Sequence, residues 1–163
     1  MNAIKLIITK LDEVFAPVDA KVLDDSKEWA NGRMQALRDF KASDEYQAVR
    51  RDAFKLYARL HEIAGGKTWY NIFNGRSAAM VEEFVIKNCA ATAEARNARL
   101  ASKLQKTGVS EVVSEEFHYT KDGFNGVFVV NTDAGKKTVR IETIYAGGYH
   151  IQCLHLRVLV KVR

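Results

Sequence analysis

A chain of 163 residues that is 47% hydrophobic and 28% charged has the composition of an ordinary folded protein, which excludes the low-complexity and disordered classes. At this length one domain buries roughly two-thirds of the surface its unfolded chain exposes, so no disulfide or metal staple is required. The formal net charge of +5 admits an anionic partner without demanding one, and no stretch reaches the roughly 18 apolar residues of a membrane span.

Apolar residues recur at helical spacing from the N-terminus. Ile4, Ile7, Leu11, Val14 and Phe15 share one face, and Pro17 is expected to end that first helix. The run Leu6-Ile7-Ile8 is too short for a signal-peptide core and lacks a small-residue cleavage site, which points to the cytoplasm. Asp24, Asp25 or Ser26 can cap a second helix carrying Trp29, Leu37 and Phe40. Ser43 caps a third, with Asp44 and Glu45 in the first turn, where the helix dipole favours acids. Its stripe runs through Tyr46, Val49, Ala53, Leu56, Tyr57, Leu60 and Ile63, and Gly65-Gly66 ends it. Residues 68–74 are short, aromatic and ambiguous, and Asn74-Gly75 is a turn. Ser77 then caps a long helix expected to run to Thr107, with Gly108 just past its end.

At Gly108 the period changes. Apolar residues now alternate, and Gly, Asn and Asp punctuate the runs, as an antiparallel sheet requires. Strands are expected over 111–120, 124–131, 138–145 and 149–162. Val113, Phe117 and Tyr119 should share a face of the first strand. The links Lys121-Asp122-Gly123, Asp133-Ala134-Gly135 and Ala146-Gly147-Gly148 are short enough for hairpins, so the sheet should be a meander. The fold class is therefore α+β: a helical region over 1–76, a long connecting helix over 77–107 and a four-stranded antiparallel sheet over 108–163, built as one compact unit.

The long helix carries a heptad-like seam of Ile86, Ala93 and Leu100 with Ala90, Asn97 and Leu104. The seam can pack on the chain's own helices or on a second copy. The helix also concentrates charge. Arg96, Arg99, Lys103 and Lys106 step by three, four and three, a row that can track phosphates if it faces water. The C-terminal strands add Arg140, Arg157 and Lys161. Trp69 and Tyr70 are aromatic candidates for base stacking.

Other constellations are weaker. Gly65-Gly66-Lys67-Thr68 resembles the end of a phosphate loop, but His61 stands where the first glycine belongs, and a helix precedes it instead of a strand. His150, Cys153 and His155 crowd one strand. Cys153 and His155 share a face and His150 points to the other, and the three together are an alternative site for a small enzyme acting on a nucleotide-like molecule. They do not provide the convergent set that a zinc ion needs, so no metal and no cofactor is expected. Cys89 and Cys153 lie in segments of different type and are expected to be buried thiols in a reducing compartment. No nucleophile, base and orienting group are spelled out together, which favours a protein that works by binding.

Three stretches, 65–75 (GGKTWYNIFNG), 96–108 (RNARLASKLQKTG) and 143–161 (TIYAGGYHIQCLHLRVLVK), resemble small accessory proteins of tailed bacteriophages over roughly the last hundred residues. The resemblance implies a viral protein made in a bacterial cytoplasm that binds a host or defence protein, or its nucleic acid, as an inhibitor. It names no active site. An oligomeric structural phage protein assembled through the Asn97 seam is a further alternative.

Overall fold

The computed structural model describes residues 2–120, 123–146 and 155–163. Five helices precede four strands: α1 (Ala3–Lys41), α2 (Asp44–Val49), α3 (Ala53–Ala64), α4 (Lys67–Phe73), α5 (Ala78–Thr107), β1 (Val109–Thr120), β2 (Gly123–Thr132), β3 (Gly135–Ala146) and β4 (His155–Val162). The strands form one antiparallel meander in the order β1-β2-β3-β4, so the α+β architecture is as the period change indicates.

Pro17 does not end the first helix. Helix α1 runs through it for 39 residues, about 58 Å at 1.5 Å per residue. The missing N–H would have bonded the Glu13 carbonyl, but Glu13 and Pro17 both face solvent, where water replaces that bond. Meanwhile the inner face is held on both sides of the proline by buried Phe15 and Val22. Ser26 is likewise no cap; it is buried inside α1 and its hydroxyl donates to the Val22 carbonyl at 2.6 Å.

The caps that are read correctly are local ones. Ser43 and Ser77 accept from the Tyr46 and Met80 amides. Gly108 closes α5 at φ 75°, a left-handed conformation that strains any residue with a side chain and that glycine adopts freely.

α1 and α5 lie antiparallel, as the pairs Lys27–Glu82, Asp19–Arg96 and Asn97–Asp12 show. Each end of this helix pair has its own core. At one end Ile7, Leu11 and Phe15 of α1 and Leu100 and Leu104 of α5 pack on Phe124, Phe128, Val130, Val139 and Ile141 of the sheet. At the other, Met34, Leu37 and Phe40 of α1 and Val81 and Val85 of α5 enclose Leu60, Trp69 and Phe73 from α3 and α4. Trp69 is therefore core, with its ring 4.7 Å from that of Trp29. Cys89 packs half-buried against this second core, and Cys153 lies outside the described residues. The α5 seam is occupied by the chain itself near the sheet: Leu100 and Leu104 are buried, and Asn97 donates to Asp12 at 2.8 Å. Only Ile86 and Ala90 of the seam stay exposed, which removes the continuous stripe a self-associating helix needs.

One face of the sheet meets the helices and the other meets water. A shift of register between Val112 and Ser114 puts Val112 against the core and leaves Val113 47% exposed, contrary to strict alternation along β1. Phe117 sits opposite Gly126, and a Cβ on Gly126 would approach its ring to 2.9 Å. The ring packs edge-on against Phe124 and Phe128. Gly126→Val should therefore cost about 1–3 kcal/mol by overpacking, visible as a lower denaturant midpoint at unchanged slope.

Candidate functional site

Four of the seven cations singled out in the sequence converge on one edge of the sheet. Arg99, Lys103 and Lys106 are exposed along α5. The Lys103 ammonium donates to the Val160 carbonyl of β4 at 2.7 Å. Strand β4 is a sheet edge. Arg163 and Thr138 exchange both backbone hydrogen bonds, so by alternation the Val160 carbonyl points away from β3. Lys103 thus caps an otherwise unpaired edge group and fixes the helix row beside β4. Lys161 follows Val160 and projects onto the open face.

On that open face Arg140 and Lys161 are direct cross-strand partners. Like charges set opposite one another destabilise a sheet pair. Glu142 lies 3.6 Å from Lys161 and relieves part of the repulsion. Among the described residues no carboxylate lies within ion-pair reach of Arg140, Arg99 or Lys106. Exposed Lys136 and Arg163 extend the same flank. The opposite edge is acidic: β1 carries Glu111, Glu115 and Glu116, with Glu115 3.0 Å from Lys10 of α1. The hydrogen bond and charge of Glu115 hold the Lys10 ammonium above its ordinary range.

Arg96 does not belong to this surface. The residue is 6% exposed; its guanidinium grips Asp19 through two hydrogen bonds of 2.7 and 3.0 Å and lies 3.7 Å from the centroid of the Phe15 ring. The expected row of four is therefore a row of three. The reason is positional: Arg96 stands four and eight residues before the buried Leu100 and Leu104, so it shares their inward line. That line was a sequence signal for burial; the partner, Asp19, lies 77 residues away and has no local signature. The Arg96 Nε and the Asn97 Oδ1 have no protein partner among the described residues.

His155 and Arg157 occupy β4 opposite Ala146 and Ile144, but their side chains, like His150 and Cys153 entirely, lie outside the described residues. Among the described residues no cluster of three or more His, Cys, Asp or Glu side chains could hold a metal ion, and no helix is long and apolar enough to cross a membrane. The Gly65-Gly66 segment ends α3, with Gly65 at φ 95°, and leads into the seven-residue α4. No family model matches this chain, and no curated protein or solved structure is similar to it.

The pairing of Arg96 with Asp19 makes a quantitative test. Asp19→Ala leaves a buried guanidinium uncompensated and should cost about 2–4 kcal/mol. Asp19→Leu combined with Arg96→Met should recover most of that loss in the same denaturation experiment; a double variant as unstable as the single would contradict the assignment.

Proposed function

We propose that this chain is a non-enzymatic binding protein of the phage accessory kind, acting in the bacterial cytoplasm. Its β4 flank covers nucleic acid handled by a host or defence component. The mechanism is occlusion: a pre-formed cationic surface lies over phosphates that another protein needs to reach. Arg140 set directly opposite Lys161 carries this reading. Two cations held side by side at a cost to the sheet are relieved when an anion lies between them. Arg99 and Lys106, placed beside β4 by the Lys103 contact, extend the row around the edge. Binding of this type is dominated by counterion release and is insensitive to base sequence.

The experiment is a binding isotherm with a labelled duplex across a salt series. Arg140→Glu with Lys161→Glu should weaken binding uniformly across sequences and flatten the slope of log K against log salt by about 2. Both side chains are in solvent on the open face, so the fold should survive, as a thermal melt would show. A wild-type chain that fails to bind duplex even at low salt would falsify this function.

A further inference from the structure

A second cationic surface lies at the other end of the helix pair. An open cleft of about 210 Å³ runs between the last turns of α1 and α4. Met34, Leu37 and Phe73 give it an apolar lining, Arg38, Lys41 and Arg76 bring positive charge, and no carboxylate lines it. The cations partly answer the carbonyl ends of the two helices: the Arg76 Nη1 donates to the Ile72 carbonyl at 3.0 Å. That duty leaves donors over. Arg38 spends Nε and Nη2 on the neutral Gln35 Oε1, at 3.3 and 2.8 Å. The remaining guanidinium N–H groups and the Lys41 ammonium have no acceptor among the described residues. A guanidinium has five donors and no acceptor, so this concentration of unspent positive charge fits an anion.

Tyr70 also lines the cleft. Burial, and then the neighbouring Tyr57, push its phenol above the ordinary range, so it remains an O–H donor. The Tyr57 ring meets it edge-on at 6.4 Å. Phe54 stands one turn before Tyr57 on the same face of α3, with 86% of its surface in water. Tyr70, Tyr57 and Phe54 thus lead outward from the cationic cleft, with the His61 ring packed 5.1 Å from Tyr70 and 6.1 Å from Tyr57. Arg50, Arg51 and Lys55, all exposed, flank the outermost ring and pair with no carboxylate among the described residues. A surface that alternates rings with uncompensated cations is unlike the contiguous apolar patch that a protein partner buries.

We propose that this end of the molecule binds single-stranded nucleic acid, with a phosphate among Arg38, Lys41 and Arg76 and successive bases on Tyr70, Tyr57 and Phe54. Exposed rings stack on bases only where the faces of those bases are free, which a duplex does not offer and a single strand does. The cleft is smaller than the roughly 300 Å³ of a pocket that encloses a drug-sized ligand. It therefore holds one unit of the strand, and the rest lies along the surface. The site shares no residue with the β4 flank and stands without it.

The test uses the full chain and a labelled oligothymidine of about twelve nucleotides, a length within the range of known single-strand sites. Lys41→Glu with Arg76→Glu, and separately Phe54→Ala with Tyr57→Ala, should each weaken binding about tenfold. Thermal melts should show both variants folded, since all four side chains are largely exposed. The reference arm is Arg140→Glu with Lys161→Glu, which should leave oligothymidine binding within about twofold of wild type if the two sites are independent. Oligothymidine binding that falls only in this reference arm supports the β4 flank and overturns the cleft. Thymidine monophosphate binding as tightly as the strand, or indifference to loss of the two rings, would reduce the site to a phosphate pocket and overturn the proposal for a strand.

Discussion

The guanidinium of Arg96, clamped on Asp19 and lying against Phe15, sits where the two cores of this protein part company. It lies at the inner end of the first core, against Phe15, so there the α1–α5 pair is joined by a polar contact beside the apolar ones. A buried ion pair of this kind is weak evidence for stability but strong evidence for alignment. Two antiparallel helices bearing only aliphatic residues can slide by a turn at modest cost. A slide here would strand a charge out of water. The hydrogen bond from Asn97, the next residue of α5, to Asp12, about two turns earlier in α1, repeats the same instruction.

From that alignment follows the division of the surface. With the two helices locked, α5 runs beside β4 and α1 contributes Lys10 to the acidic side of β1. The sheet is consequently polarised across its width, acids on one edge and cations on the other. Lys103 has a part in both fold and charge: its ammonium caps an edge carbonyl while its stem keeps the cationic row against the strand.

The features legible in the sequence are those decided by neighbours in the chain. Gly108, Ser43, Ser77 and the tight turn between β2 and β3 depend on caps and turns a few residues long, the links expected at 121–123 and 146–148 fall largely outside the described residues, and the change of period at Gly108 separates helices from sheet. What escapes is whatever depends on the other side of the molecule. Pro17 is a helix breaker by local rules, yet it lies on a solvent face where its missing donor costs little, and packing on α5 carries the helix past it. Arg96 belongs by spacing both to a basic row and to the line of Leu100 and Leu104, and only the presence of Asp19 decides between them. The bulge after Val112 turns Val113 outward without any glycine or proline to announce it. Arg38, Lys41 and Arg76 come from two segments more than thirty residues apart, and nothing in the pattern of either brings them to one cleft.

One residue, Gly108, separates the last turn of α5 from the first strand. With no slack at that corner and a full antiparallel partner along its length, α5 behaves as a rigid strut of about 45 Å at 1.5 Å per residue. Whatever is held at the two ends of such a strut is held at a set spacing. The sheet core at one end and the Trp69 core at the other therefore stand at a fixed separation.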